Sequence, residues 1–105
     1  MIAVDKETFQ KEVKDEKGYV LVDYWSESCE SCKALMPDVV ALEEKYGKQI
    51  KFSKLDVAKA RRLAIGEKVL GLPTIVLYKD GQKVEEVTKD NATVANIEAM
   101  IKKAF

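Results

Sequence analysis

The 105-residue chain has no histidine, only two cysteines, two prolines and one tryptophan, and its eighteen basic and eighteen acidic residues cancel. A structural zinc site wants about four Cys or His ligands, so this chain reaches one only by pairing two copies or by recruiting carboxylates. With zero net charge, no basic block and no basic stripe interleaved with aromatics, nothing marks a nucleic-acid surface. No segment approaches the ~18 apolar residues of a membrane span, and the start Met1-Ile2-Ala3-Val4-Asp5-Lys6 lacks a charged leader with an apolar stretch behind it. A cytoplasmic protein is therefore expected. No Pro/Gly/Ser-rich linker, repeat or low-complexity stretch divides the sequence, and no flavin or nicotinamide fingerprint appears. The economical reading is one domain spanning 1–105 with no resident cofactor, and 47% apolar residues supply a core without several disulfides.

What is present centres on Cys29 and Cys32, which follow the apolar run Tyr19–Trp25 and open a segment of helical period. Positions i and i+3 of a first helical turn are neighbours, so the pair closes a small disulfide ring that opens without unfolding the chain. A helix N-terminus offers unpaired N–H groups and roughly half a positive charge, which favours a thiolate, the nucleophile of exchange. With Ser26 or Ser28 as cap, Cys29 becomes the exposed attacker and Cys32, about one turn deeper, the shielded resolver. Two readings compete. A structural bridge is disfavoured because so short a loop constrains the unfolded chain little. A metal held between two chains needs ligands that one chain does not supply. In a reducing compartment a lone pair is more often catalytic or metal-binding than structural, and its place at a strand-to-helix junction points to redox chemistry.

Along the chain, Ile2 to Val4 reads as a short edge strand, and Asp5 caps a helix with Phe9 and Val13 on one face until Lys17-Gly18. Tyr19 to Trp25 reads as a strand buried on both faces. From Cys29 to Tyr46, Leu35, Val39, Leu42 and Tyr46 recur at helical spacing, with Pro37 inside as a kink and Gly47 as the stop. Ile50, Phe52 and Leu55 mark another strand, and Ala58 to Lys68 a short helix. After the break at Gly71-Leu72-Pro73, Thr74–Tyr78 and Val84–Thr88 form a hairpin around Asp80-Gly81. A last helix presents Val94, Ile97, Ile101 and Phe105 as one stripe. The order β-α-β-α-β-α-β-β-α predicts an α/β fold, a mixed sheet covered by helices on both faces.

Asp23 is the second informative residue, because a carboxylate inside an apolar strand is costly to bury and has its pKa raised. Beneath Cys32 it serves as general base for that thiol; at a solvated strand end it does nothing special. Lys54, on the neighbouring predicted strand, either pairs with Asp23 and tunes it or is an ordinary surface lysine. Trp25 is either an apolar platform beside the sulfurs or core. For Pro73 the pattern alone makes a trans bond the default.

Taken together, Val22-Asp23-Tyr24-Trp25, Cys29-x-x-Cys32-Lys33, Pro37, Lys54-Leu55-Asp56, Gly71-Leu72-Pro73-Thr74 and Lys79-Asp80-Gly81 resemble the thioredoxin family over essentially the whole chain. The resemblance implies the thioredoxin fold, with Cys29 as nucleophile, Cys32 as resolver, Asp23 as buried proton acceptor, Lys54 beside it and a cis Pro73 facing the disulfide. It also implies a substrate surface of Trp25, Glu30, Ser31, Leu72, Pro73 and Thr74, with Leu72 offering its backbone to an extended segment. The implied activity is a monomeric thiol–disulfide oxidoreductase that reduces protein disulfides and draws electrons from a separate thioredoxin reductase-type donor.

The departures bear on recognition more than on chemistry. Glu30-Ser31 replaces the family's usual Gly-Pro, Ser28 replaces a tryptophan, and Lys89 falls where a glycine of the substrate groove is expected. A Glu30 carboxylate near Cys29 disfavours its thiolate and makes the protein more reducing, while a Ser31 hydroxyl bonded to the thiolate acts in the opposite direction. These departures keep two alternatives open: a dedicated donor to one enzyme system, and a non-redox binding or scaffold protein of the same fold.

Overall fold

The computed structural model describes residues 1–105. Five strands, β1 (Ile2–Val4), β2 (Tyr19–Trp25), β3 (Ile50–Asp56), β4 (Thr74–Lys79) and β5 (Gln82–Thr88), form one sheet in the order β1-β3-β2-β4-β5. β3 runs parallel to β1 and β2, whereas β4 is antiparallel to β2 and β5, so the sheet is mixed and β1 lies at an edge. The helices are α1 (Glu30–Tyr46), α2 (Arg61–Gly66) and α3 (Val94–Ala104).

Because side chains alternate along a strand, the near-continuous apolar run of β2 serves two cores. Val20, Val22 and Tyr24 meet Phe9, Val13, Ala64, Val76 and Tyr78 on one face. On the other, Leu21 joins Phe52, Ile75 and Leu77 beneath Leu35, Val39 and Leu42 of α1 and Ile97, Met100 and Ile101 of α3. Asp23 shares the Leu21 face, so β2 carries a carboxylate toward α1.

Several expectations are corrected. The helix expected after Asp5 is one wide π-type turn, Gln10–Lys14, closed by Asp15 N–H on the Gln10 carbonyl at 2.8 Å. Its N-cap is Phe9, without a side-chain cap; Asp5 instead closes the turn before it, accepting from Glu7 N–H and Thr8 N–H. The single helix expected over Ala58–Lys68 is a 3-10 turn, Val57–Lys59, followed by α2, because Ala60 at φ −149° and ψ 50° interrupts the helical backbone. On α3 the buried stripe is Ile97, Met100 and Ile101, while Val94 and Phe105 are exposed; the Phe105 ring instead rests on Tyr19 with centroids 5.0 Å apart. α1 runs unbroken through Pro37, which leaves the Lys33 carbonyl without its helical donor. At the hairpin, Asp80 (φ 51°) and Gly81 (φ 80°) take the left-handed pair of a type I′ turn, and a side chain at Gly81 would run into the Lys14 carbonyl.

One buried polar chain escaped the sequence pattern. Tyr24 and Tyr78 share a 2.7 Å hydrogen bond between their hydroxyls, and Tyr78 donates onward to Glu67 Oε1 at 2.8 Å. Tyr78→Phe leaves the buried Tyr24 hydroxyl without its partner and removes one partner of Glu67, which keeps Lys14 Nζ at 3.6 Å, so the variant should lose about 1–3 kcal/mol of stability in urea unfolding. An unchanged midpoint would show that water replaces the lost partner without cost.

Candidate active site at the start of α1

Neither serine caps α1. Cys29 does so itself, in extended backbone (φ −96°, ψ 101°), with its Sγ accepting from Cys32 N–H at 3.2 Å. Ser26 and Ser28 bond each other through their hydroxyls at 3.2 Å, and the Ser26 carbonyl takes Cys29 N–H. Cys29 and Cys32 are joined as a disulfide with their Cα atoms 5.2 Å apart. The two sulfurs are unequal: Cys29 is half-buried at the rim, while Cys32 is 1% exposed beneath the helix. Cys29 Sγ therefore occupies the place of an N-cap acceptor, where helix N–H groups stabilise negative charge.

Ser31 Oγ lies 3.5 Å from Cys29 Sγ. The Glu30 carboxylate is turned to solvent, with Lys33 Nζ at 3.8 Å, and Glu27 approaches the same ammonium at 3.8 Å.

Asp23 does not sit at a solvated strand end. It is 1% exposed, and neither carboxylate oxygen has a hydrogen-bond partner. It projects from β2 on the face covered by the inner side of α1, the side that carries Cys32, Leu35 and Val39. Burial raises its pKa to about 7, and the positive charge of Lys54, its register partner on β3, works against the rise. Lys54 acts through space; its ammonium rests over the Trp25 ring, 5.8 Å from the centroid. Trp25 is half-buried and walls a cavity of about 540 Å³ together with Lys54, Asp56 and Lys59.

The Leu72–Pro73 peptide is cis, against the trans default of the pattern and in line with the resemblance. Pro73 is buried and shares an open groove of about 460 Å³ with Ser31 and Ala34, so the fold brings this turn to the cysteine segment. Thr74 is 1% exposed; its hydroxyl donates to the Gly71 carbonyl at 2.6 Å and lies 2.7 Å from the Thr88 hydroxyl. It holds the turn from inside rather than facing outward. Lys89 N–H adds a 2.7 Å bond to the Pro73 carbonyl. The part of Thr88 in this brace was missed, since only strand pairing of Thr74 with Thr88 reveals it. Leu72 is half-buried, lies outside the strand ladder and makes none of the turn hydrogen bonds through its backbone. On its other side a cavity of about 310 Å³ is lined by Ser28, Val57, Ala64 and Ile65, among others, with Ile65 63% and Leu70 81% exposed.

The thioredoxin family model matches residues 1–103. A thioredoxin from Acetoanaerobium sticklandii is 65% identical over 103 residues, covering 98% of this chain and 98% of that protein. One from Peptoclostridium acidaminophilum is 60% identical, covering 98% of this chain and 94% of the relative. Among solved structures, oxidised mitochondrial thioredoxin 3 from Saccharomyces cerevisiae superposes with a TM-score of 0.86 at 26% identity, over 98% of this chain and 94% of that one. A rim sulfur and a buried sulfur at disulfide distance, on a sheet and helix arrangement shared with these proteins along nearly its whole length, have one common explanation: this chain belongs to the thioredoxin family and is a thiol–disulfide oxidoreductase.

Proposed function

We propose that the reduced protein reduces disulfides of partner proteins, with Cys29 as nucleophile, Cys32 as resolver and Asp23 as proton acceptor. The observation that carries this assignment is the asymmetry of the pair, a rim sulfur at a helix N-cap and a buried sulfur on the helix face above a carboxylate without partners. The Cys29 thiolate attacks a substrate disulfide, forms a mixed disulfide and releases the first substrate thiolate. Cys32 then gives its proton to Asp23, directly or through one water, and attacks Cys29 Sγ. The Cys29–Cys32 bond forms, the second substrate sulfur leaves, and the substrate ends as a dithiol. Two electrons have passed to it, and a separate reductase-type donor must return two to this chain.

Lys54 tunes Asp23 through space, and Thr74 positions the Pro73 turn. Leu72 offers its free backbone to an extended substrate segment, flanked by Pro73 and the Glu30-Ser31 rim, with Trp25 farther out beside Lys54. No helix is long and apolar enough to cross a membrane. The reading places the chain in the cytoplasm, as one monomeric domain without a cofactor of its own.

Alkylation of the reduced protein tests the assignment. Iodoacetamide should modify Cys29 at least about tenfold faster than Cys32, read by peptide mapping after brief labelling at neutral pH. Equal labelling of both cysteines, or faster labelling of Cys32, would overturn it.

A further inference from the structure

Three residues other than glycine have left-handed backbone: Lys68, Asp80 and Lys89. Asp80 belongs to the tight hairpin, and Lys68 follows the end of α2, where such a conformation is common. Lys89, at φ 54°, has neither reason. It follows the last residue of β5, Thr88, and opens a 3-10 turn, Lys89–Asn91, beside the active-site turn, bonded through its N–H to the Pro73 carbonyl. Its aliphatic stem lies across Gly71, and a side-chain carbon at Gly71 would collide with Lys89 Cε. The strained backbone and the missing side chain at Gly71 together lay this lysine against the Gly71–Pro73 segment.

The ammonium forms no ion pair within the chain, so its charge is unspent at the mouth of the groove that also contains Ser31 and Pro73. Asp38 and Asp90 line the same groove, and neither comes within ion-pair distance of it. A substrate segment paired with Leu72 has to run beside the Lys89 stem. We propose that Lys89 is a specificity residue that selects partner segments with an acidic side chain next to the target cysteine. This inference rests on the reading of the protein as a disulfide reductase.

The test uses the pre-reduced protein in single turnover with three cyclic peptide disulfides that differ only in Asp, Ser or Lys beside one cysteine. The rate of peptide dithiol formation is followed by chromatography. At low ionic strength the Asp peptide should react about three to five times faster than the Lys peptide, the upper part of what one solvent-exposed ion pair supplies, since the Lys peptide is also repelled. The ratio should shrink as salt approaches 0.5 M. It should flatten in Lys89→Gln and invert in Lys89→Glu, both of which keep only the first two methylenes of the stem, so each variant is compared only with itself. A ratio near one in the unaltered protein, or the same ratio in all three proteins, would overturn the charge selection while leaving disulfide reduction in place. Failure to reduce even the Ser peptide would overturn the reductase reading and this inference with it.

Discussion

Replacing Cys29 with Ser should remove turnover with protein disulfides, by about a thousandfold or more, because in the proposed mechanism that sulfur makes the first bond to the substrate. Replacing Cys32 with Ser has a different signature. The first attack proceeds, no buried sulfur returns to expel the substrate, and the mixed disulfide accumulates. Intact-mass measurement should find the Cys32→Ser chain enlarged by one substrate molecule, released by dithiothreitol, while the Cys29→Ser chain forms no such adduct. The difference follows from the placement of the sulfurs: position 29 is at the rim with the cap N–H donor, and position 32 is 1% exposed. Full insulin reduction by Cys29→Ser, or trapping by the wrong variant, would overturn the roles.

Asp23→Asn should slow the resolving step about a hundredfold near pH 7, with the deficit narrowing at alkaline pH where Cys32 ionises without help. The same substitution should stabilise the fold. Burial raises the Asp23 pKa from 3.8 to about 7, so between those values the native state holds a proton that the unfolded chain releases. Stability therefore falls as pH rises through that window, by about 4 kcal/mol at most, and stays low above it. Below about pH 4 both side chains are neutral, and the two proteins should unfold at nearly the same urea concentration. At pH 8 the Asn variant should be the more stable by a few kcal/mol. A wild-type minus variant difference that stays flat from pH 4 to pH 8 would show that the Asp23 carboxylate is solvated or paired in solution. A carboxylate that costs the fold this much and has no hydrogen-bond partner is better explained by proton transfer than by architecture.

The strands β2, β3 and β4, the helix α1 and the hairpin at Asp80-Gly81 were legible because local chemistry dictates them: β-rich apolar runs, a helical spacing of apolar residues, and a turn dipeptide that accepts left-handed backbone. Boundaries were less legible. Ala60 carries no sequence mark as a break between two helical pieces, and α3 buries Met100 where Phe105 was expected, since packing against β4 and β5 chooses the buried stripe. The cap of α1 was assigned to serine by propensity, yet Cys29 occupies it, so the reactive atom is itself the cap acceptor.

The linear chain by itself pointed to the chemistry: two sulfurs at i and i+3 without any histidine favour reversible exchange over metal binding, and a carboxylate in an apolar run singles out Asp23. These are properties of residue type and spacing, which need no fold to be read. Only the tertiary structure decided that Asp23 is buried rather than at a solvated strand end, that the Leu72–Pro73 bond is cis against the pattern's trans default, and that Thr88 and Lys89 brace the turn beside the disulfide. Each of these depends on contacts between segments far apart in sequence, brought together by sheet pairing and by the burial of two apolar faces.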